Sequence, residues 1–331
     1  MRANRLLQHY VDNARRLPWR ALPGEPAPDP YRVWLSEVML QQTTVAAVTP
    51  RFERFVARWP TVEALAAARD EDVLGEWAGL GYYARARNLI ACAREVAAKG
   101  GFPDTEAELR KLPGIGDYTA AAVAAIAFGR RAVVIDGNVE RVVSRLHGLE
   151  APVAVSKARI RELTDAMTPH ERAGDFAQAM MDLGATICRP KSPDCTACPL
   201  SDDCTAFAFG EPERYPGAKV KAVRPVRYGV AHWVERDGCV WLVRRPAKGI
   251  LGGMAALPGP AWGEAPSAVP ATARVTHVFT HFRLELAVVL ATEPDGEGWW
   301  QPLGALEHAG LPTLYRRAAE AVLQARSKLA A

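Results

Sequence analysis

Residues 112–143 read LPGIGDYTAAAVAAIAFGRRAVVIDGNVERVV, and the fold of the surrounding chain can be worked out from them. Pro113, Gly114 and Gly116 make a tight turn between two segments whose apolar residues recur at helical intervals. A second turn, around Asp136, precedes another helical pattern. The stretch therefore predicts two helices joined by a tight hairpin, followed by an acidic residue at the start of a further helix.

The composition is that of a globular protein with more than one domain. The chain has 331 residues, of which 49% are hydrophobic and 24% charged, enough for two domains that each bury a core. It lacks an apolar run of membrane-spanning length and the pattern of a secretory signal. The net charge of +4 is a weak indication of an anionic partner. Four of the six cysteines crowd into one segment, which favours a reducing, cytoplasmic setting with one thiolate site over a disulfide-bonded secreted protein.

The periodicity divides the chain into a helical part and an α+β part. Helical intervals dominate residues 5–187, notably in the segments 45–59, 85–98, 158–167 and 175–187. Short β-branched or aromatic runs follow at 228–234, 239–244, 275–279 and 284–291, with a closing helix at 311–329. We therefore predict an all-α domain over 1–210, a linker over 211–226 and an α+β domain over 227–331.

The hairpin and Asp136 have the chemistry of a nucleic-acid site. Gly114 and Gly116 allow backbone angles and a close approach that side chains would prevent, and the helix that follows points its N–H groups at a phosphate. Asp136 is placed to cap a helix and to stabilise a cation as a carboxylate. Asn138 is placed to orient Asp136 or to bind a phosphate. Each feature taken alone is also compatible with an ordinary turn.

Glu37 is the candidate for a second carboxyl group. It lies in a helical pattern whose same face carries Val33, Trp34, Leu40 and Gln41. A carboxyl group against apolar neighbours has a raised pKa, which suits a general acid near neutral pH. The alternative is a surface or interdomain glutamate.

The cysteines of residues 188–204 form a candidate metal site. Cys188, Cys195, Cys198 and Cys204 follow the spacing C-x6-C-x2-C-x5-C. Four thiolates in so short a loop are compatible with either a tetrahedral Zn²⁺ or a [4Fe–4S] cluster, and the spacing does not decide between them.

Longer motifs resemble one family. The hairpin, Asp136 and the cysteines occur in the order and spacing of the helix-hairpin-helix DNA glycosylases of the endonuclease III superfamily. Within that superfamily, the chain resembles the adenine DNA glycosylases of the MutY type. This narrower resemblance extends through both domains and depends on three motifs: LSEVMLQQT at 35–43, GLGYYARAR at 79–87 and AMMDLGA at 179–185.

The resemblance implies a reaction, a substrate and a cofactor. The reaction would be hydrolysis of the N-glycosidic bond of adenine opposite 8-oxoguanine or guanine in duplex DNA, carried out by a monomer with no membrane partner. Glu37 would protonate the adenine, and Asp136 would stabilise the sugar cation. The four cysteines would hold one [4Fe–4S] cluster. Arg20, Leu40 and Gln178 would line the adenine pocket, while Gln42 and Tyr82 would insert into the duplex.

Tyr118 distinguishes two kinds of relative. Members that also cut the DNA backbone carry a lysine just after the hairpin as an amine nucleophile. A tyrosine cannot form that imine, so a monofunctional enzyme is expected. We expect Tyr118 to hydrogen-bond Asp136 or a sugar phosphate.

The C-terminal domain resembles the MutT-like, Nudix-fold domain of the same family. Between Pro246 and Arg283 the only acidic residue is Glu264, so we do not expect metal-dependent pyrophosphohydrolase activity. The family recognises 8-oxoguanine through a Phe-Ser-His loop, which Phe279, Thr280 and His281 match with threonine in place of serine. A plain hairpin edge is the structural alternative.

Two other functions are compatible with the sequence. A thymine or uracil mismatch glycosylase would share the hairpin and the cysteines, with less need for a lesion-recognition domain. A non-catalytic DNA-damage-binding protein would need neither Glu37 nor Asp136.

Overall fold

The computed structural model describes residues 2–77, 79–218, 224–246, 249–266 and 268–330. Its contacts divide the chain into two compact units. One comprises Met1–Leu80 and Arg85–Val220, and the other comprises Gly81–Ala84 and Lys221–Ala331.

The first unit is built from helices, as its sequence pattern predicts. The helices in chain order are α1 (Arg2–Asn13), α2 (Pro30–Leu40), α3 (Val45–Arg58), α4 (Val62–Ala66), α5 (Asp70–Glu76), α6 (Tyr83–Lys99), α7 (Glu106–Leu109), α8 (Asp117–Phe128), α9 (Gly137–Leu146), α10 (Val153–Met167), α11 (Ala173–Thr186) and α12 (Thr205–Ala208). Short 3₁₀ turns at Cys195–Ala197, Ser201–Asp203 and Pro212–Arg214 complete it.

Helix α8 is the buried centre of this unit. Its residues from Thr119 to Ala127 are all buried, and α2, α7 and α11 pack against it. Alanine-rich faces allow such close packing because they add little side-chain volume. Gly174 of α11 lies so close to the backbone of Ala125 that an added Cβ would collide with it. The central helix therefore fixes the distances between the helices that surround it.

Side-chain caps define the starts of the two helices that carry the predicted carboxyl groups. Asp29 accepts a hydrogen bond from the backbone N–H of Tyr31 at 2.8 Å, with Pro30 at the first position of α2. Asp136 caps α9 by accepting from the N–H of Val139, also at 2.8 Å. The predicted capping role of Asp136 is confirmed.

The second unit contains a mixed sheet and one long helix. Its elements are β1 (Val226–Arg236), β2 (Cys239–Arg244), β3 (Ala255–Ala256), β4 (Ala273–Val278), β5 (Arg283–Ala291), β6 (Gly298–Pro302) and α13 (Thr313–Ala330). The strand order is β3-β2-β1-β5-β4, and β6 pairs with β2. Strands β1 and β5 run parallel, whereas the other pairs are antiparallel. This α+β arrangement agrees with the predicted fold class.

The core of the second unit lies between the sheet and α13. Trp233, Leu242, Leu286 and Val322 are at most 1% exposed within it. The sequence indicated β1, β2, β4, β5 and the final helix, but not β3 or β6. Strand β3 has only two residues, and β6 contains two tryptophans between Gly298 and Pro302 with no clear alternation. Neither segment carries enough periodic residues for a prediction.

The predicted linker begins as a packed segment. Tyr215 is 4% exposed, and its carbonyl accepts a hydrogen bond from Nε of Arg145 at 3.1 Å. Residues 219–223 of the linker lie outside the described residues.

In the part of the chain that the structure describes, no helix has the length and apolar character needed to cross a membrane.

Candidate active site and cysteine loop

A cavity of about 850 Å³ lies in the helical unit, beside the N-terminus of α8. It brings together most of the residues predicted for catalysis and substrate binding. The predicted residues that line it are Arg20, Glu37, Leu40, Gln42, Gly114, Gly116, Tyr118, Asp136, Asn138 and Gln178. Ligand sites are typically concave, largely apolar and supplied with a few convergent polar groups, and this cavity fits that description.

Glu37 projects from the largely buried helix α2 into this cavity. Its neighbours in α2 from Tyr31 to Met39 are nearly all buried, and Glu37 itself is 6% exposed. Burial raises its pKa to about 7, partly offset by a hydrogen bond from Tyr118 and by the charge of Arg20. The predicted raised pKa is confirmed, and the surface alternative is wrong.

Tyr118 is joined to Glu37. Its hydroxyl donates to Oε2 of Glu37 at 2.5 Å and lies 3.4 Å from Sδ of Met181. Burial and the nearby carboxyl groups hold the pKa of the phenol well above its usual value, so it remains a donor at physiological pH. The prediction that Asp136 is its protein partner is therefore wrong: the observed partner, Glu37, lies on a different helix.

Asp136 faces the cavity from the start of α9. Besides the N–H of Val139, it accepts a hydrogen bond from Nδ2 of Asn138 at 2.8 Å. Asn138 thus orients Asp136, in agreement with one of its two predicted roles. The other side of Asn138 packs against Gly184, where an added Cβ would lie 2.5 Å from Cβ of Asn138. The absence of a side chain at Gly184 allows α11 to approach this corner of the site.

Arg141 connects the same corner to the cysteine loop. Its Nη2 donates to Oδ1 of Asn138 at 2.9 Å and to the carbonyl of Gly184 at 2.7 Å. Its Nε donates to the carbonyl of Cys188 at 2.8 Å. The sequence did not indicate this residue, because one arginine in an amphipathic helix resembles any surface arginine.

Asp182 is a second residue that the sequence did not single out. Its Oδ2 accepts from Nη1 of Arg20 at 2.7 Å, and its Oδ1 accepts from Nη1 of Arg15 at 3.3 Å. Asp182 is 7% exposed, so it fixes the Arg20 guanidinium at the cavity. A detectable signal existed, since Asp182 is the only charged residue in the apolar segment from Phe176 to Leu183.

Gln178 has an unused acceptor. It is 5% exposed, and its Oε1 is buried without a hydrogen-bond partner in the described structure. Buried polar atoms are rarely left unpaired. The unpaired atom belongs to a residue of the cavity wall, where an entering ligand could supply the donor.

The two hairpin glycines differ in backbone conformation and in the space around them. Gly114 has a φ of 74°, and a Cβ there would lie 2.6 Å from Cβ of Asn88. Gly116 caps α8 with a φ of −92° and has open space around it. The prediction that both glycines need special backbone angles is therefore wrong for Gly116. A close approach from outside is the remaining reason for a glycine there.

Two residues predicted to insert into DNA are exposed and lie in bends. Gln42 follows α2 with a φ of 58°, and Tyr82 precedes α6 with a φ of 47° and 55% exposure. Tyr82 is not among the residues that line the cavity.

The four cysteines of the predicted metal loop line one small cavity of about 30 Å³. None is in a disulfide. Arg145, which is 2% exposed, holds the loop. It donates to the carbonyls of Arg189 at 2.7 Å and Pro190 at 3.1 Å, and to Sγ of Cys188 at 3.4 Å. Among the described residues, no three His, Cys, Asp or Glu side chains converge as a single metal ion would require.

The predicted lesion-recognition residues lie in the second unit, in the turn between β4 and β5. Thr280 and His281 are exposed, whereas Phe279 is partly buried. The N–H of Phe279 donates to the carbonyl of Phe282 at 2.9 Å, which closes the turn.

The chain matches two family models. Residues 35–165 match the model of HhH-GPD superfamily base excision DNA repair proteins, and residues 229–321 match that of the NUDIX domain. Among solved structures, the chain is similar to a thermostable thymine-DNA glycosylase, with a TM-score of 0.55 and 28% identity over 62% of this chain and 95% of that one. It is also similar to a trapped endonuclease III–DNA covalent intermediate, with a TM-score of 0.53 and 25% identity over 63% of this chain and 94% of that one.

Sequence similarity to curated adenine DNA glycosylases identifies the family more closely than the two domain models do. An adenine DNA glycosylase of Buchnera aphidicola is 35% identical over 72% of this chain and 68% of its own length. The adenine DNA glycosylases of Arabidopsis thaliana and Homo sapiens are 38% and 43% identical over 75% and 63% of this chain. The matched regions span 46% of the plant protein and 40% of the human one, less than half of each. The chain belongs to the adenine DNA glycosylase family, within the HhH-GPD superfamily of base excision DNA repair proteins.

Proposed function

We propose that the chain is a monofunctional DNA glycosylase that hydrolyses the N-glycosidic bond of adenine opposite 8-oxoguanine or guanine in duplex DNA. The observation that carries this proposal is the buried Glu37, bonded to Tyr118, in the same cavity as Asp136. A group that protonates a base and a group that stabilises a sugar cation are the two functions that glycosidic hydrolysis requires. The names of the curated relatives support adenine as the base.

Adenine would enter the cavity after leaving the base stack, because its sugar carbon is inaccessible within a duplex. The cavity volume of about 850 Å³ is ample for one purine nucleotide. The unpaired Oε1 of Gln178 fits the exocyclic amino group of adenine, which is a hydrogen-bond donor. Leu40 and Arg20 complete the wall, and Asp182 holds the Arg20 guanidinium from behind it.

Glu37 would then protonate N7 of adenine. With a pKa of about 7, a substantial fraction of Glu37 carries its proton at neutral pH. Protonation turns the base into a neutral leaving group, so the electrons of the breaking C–N bond pass to adenine. Asp136, oriented by Asn138, stabilises the positive charge that develops on the sugar until water adds to it.

Tyr118 supports base removal without cleavage of the DNA backbone. A phenol that donates to Glu37 cannot act as the amine nucleophile of an imine-forming enzyme. The product would be an abasic site that breaks only after alkaline treatment.

The hairpin would bind the DNA backbone. Gly116 begins a twelve-residue helix, and its open surroundings leave room for a phosphate near the N–H groups of that helix. Such contacts position a duplex without reading its sequence. Gln42 and Tyr82 are exposed and suited to insertion between bases.

The four loop cysteines would hold one [4Fe–4S] cluster. Soft thiolates suit iron–sulfur clusters and zinc alike, and the four cysteines line one small cavity. The similarity of the helical unit to endonuclease III supports the cluster. The group would then supply a bond to each of the four thiolates and so stabilise the loop. Arg145 and Arg141 would anchor the loop to α9.

The turn that carries Phe279, Thr280 and His281 would read the 8-oxoguanine opposite adenine. Two of these side chains are exposed at the tip of the turn, and they carry a hydroxyl group and an imidazole, both of which can donate and accept hydrogen bonds.

Thymine removal is a second candidate function. It is favoured by the similarity of the helical unit to a thermostable thymine-DNA glycosylase. A panel of duplexes with A, T or U opposite 8-oxoguanine or G separates the two, with cleavage scored before and after alkali. We expect alkali-dependent cleavage at A. Cleavage mainly at T or U would favour the second candidate, and binding without cleavage would indicate a damage-binding protein.

The same panel tests the two carboxyl groups. Glu37→Gln and Asp136→Asn should each slow single-turnover adenine release by at least about a hundredfold. The control is Glu71→Gln, an exposed residue of α5 outside the cavity. If either site variant released adenine at nearly the wild-type rate, the assignment of that residue would be wrong.

A further inference from the structure

The turn proposed to read 8-oxoguanine rests on a cluster of aromatic rings. Phe279 packs on Phe282 with 4.8 Å between ring centroids and on Trp262 with 5.5 Å. Its third aromatic neighbour is His277, at 4.7 Å. Phe279 is therefore held in place by rings from both sides of the turn and from a separate segment. The exposed Thr280 and His281 follow directly from it in the chain.

Trp262 is the member of this cluster that comes from outside the hairpin. Its segment is fixed to β1 by two backbone hydrogen bonds between Tyr228 and Gly263, of 2.8 and 2.9 Å. Beneath the indole lies Gly229, where an added Cβ would be 2.6 Å from Cδ1 of Trp262. The absence of a side chain at Gly229 creates the space that the indole fills.

A cation lies against the indole. The guanidinium carbon of Arg245 lies 4.6 Å from the centroid of Trp262, within the range of a cation–π interaction. Nη1 of Arg245 also donates to the hydroxyl of Tyr315 in α13 at 2.9 Å. The indole is thus held by strand β1, by Arg245 and by the aromatic rings of the turn.

We propose that Trp262 is a positioning residue for the turn formed by residues 279–281, and that it thereby sets the preference for adenine opposite 8-oxoguanine over adenine opposite guanine. The inference rests on the proposed function. Trp262 does not touch the lesion itself. It fixes the ring of Phe279, and Phe279 fixes the two exposed side chains that follow it.

The test compares single-turnover adenine release from two duplexes, one with 8-oxoguanine and one with guanine opposite the adenine. Trp262→Leu should lower the ratio of the two rates by about tenfold, because it removes the aromatic contacts with Phe279 and Phe282. The rate opposite guanine should stay within about twofold of wild type. Trp262→Phe, which retains a ring, should recover most of the ratio.

The matched control is Trp241→Leu. Trp241 is a tryptophan of the same sheet that packs on Trp300, away from the turn, and its removal should leave the ratio unchanged. Arg245→Gln gives an independent test, because it withdraws the cation from the indole without emptying the cluster. It should lower the ratio by a few-fold. Circular dichroism shows whether Trp262→Leu unfolds the second unit. If it does, the ratio of release rates is measured in Arg245→Gln and Trp262→Phe instead.

If Trp262→Leu folds and the ratio of the two release rates is unchanged, the inference is overturned. If Trp262→Leu does not fold, an unchanged ratio in Arg245→Gln overturns it. An equal fall on both duplexes would also overturn it, since a general structural defect affects both rates. Failure of the proposed function looks different: the wild-type protein would then release no adenine from either duplex.

Discussion

The hydroxyl of Tyr118 donates a hydrogen bond to Oε2 of Glu37 across 2.5 Å, joining residues that are 81 positions apart in the chain. The hydrogen bond from Tyr118 stabilises the ionised form of Glu37 and so lowers its pKa. Burial raises the pKa by a larger amount. The balance leaves the pKa at about 7. The pair therefore sets the pH range in which Glu37 can act as an acid.

The pH profile of adenine release should reflect this pair. In the wild type the rate should fall above pH 7 by about tenfold per pH unit, as Glu37 loses its proton. Tyr118→Phe removes the hydrogen bond, so the pKa of Glu37 rises and the falling limb moves to higher pH. Single-turnover rates between pH 6 and 9 measure both effects. The control is Tyr31→Phe, another buried tyrosine, which donates to the carbonyl of Trp59. A limb that moved to lower pH would contradict the assignment.

Glu37 should also make stability depend on pH. Its folded-state pKa of about 7 exceeds its ordinary value of 4.5, so the folded protein retains a proton that the unfolded chain loses. The wild type should therefore lose stability between about pH 4.5 and 7, by about 3 kcal/mol in total, with no further loss above. Glu37→Gln should lack this loss and be more stable than wild type at pH 8. Urea unfolding of both proteins at pH 5 and pH 8 measures the difference in their free energies of unfolding. If that difference between wild type and Glu37→Gln were the same at both pH values, the pKa of Glu37 would not be raised.

The two hairpin glycines should respond differently to alanine. Gly114→Ala places a side chain at positive φ and against Asn88, and should destabilise the protein by about 1–3 kcal/mol. At Gly116 an added Cβ meets no atom of the described residues within 4 Å, so Gly116→Ala should change stability by less than about 1 kcal/mol. Its duplex affinity should nevertheless fall by about tenfold, because the methyl group would occupy the space for a phosphate. Thermal unfolding and duplex titration separate the two effects, and unchanged affinity in Gly116→Ala would exclude the hairpin from the DNA interface.

Asp182 should be needed to hold Arg20. Asp182→Asn removes the charge paired with two arginines in a poorly exposed position and should cost about 2 kcal/mol of stability. Adenine release should slow as Arg20 loses its fixed orientation. The control is Asp72→Asn, which also removes a charge paired with two arginines, the exposed Arg58 and Arg69. Because solvent screens these pairs, this variant should lose much less stability than Asp182→Asn. Equal losses in the two variants would mean that Asp182 is an ordinary surface partner.

Local patterns predicted much of this structure. The bounds of α9 and β2 follow from the sequence, because a capping aspartate and a β-branched run between turn residues are local signals. The apolar face around Glu37 likewise predicted its raised pKa. These features depend only on residues a few positions apart.

Contacts between distant segments could not be predicted in the same way. The Tyr118–Glu37 bond, the Arg20–Asp182 pair and the support of Phe279 by Trp262 each depend on how two elements pack. Periodicity identifies the buried face of a helix but not the partner it meets there. The open surroundings of Gly116 were also unpredictable, since they depend on the space left around the completed hairpin.

The alanine-rich helix α8 has a consequence for natural variation. It is packed by α2, which carries Glu37, and by α11, which carries Gln178 and Asp182. Because Ala121 and Ala124 are at most 1% exposed, a larger residue at either position would push one of these helices outward. Such a variant would fold less well and would also change the spacing of groups that it never touches. Harmful substitutions should therefore be frequent along a helix whose buried alanines carry no catalytic group.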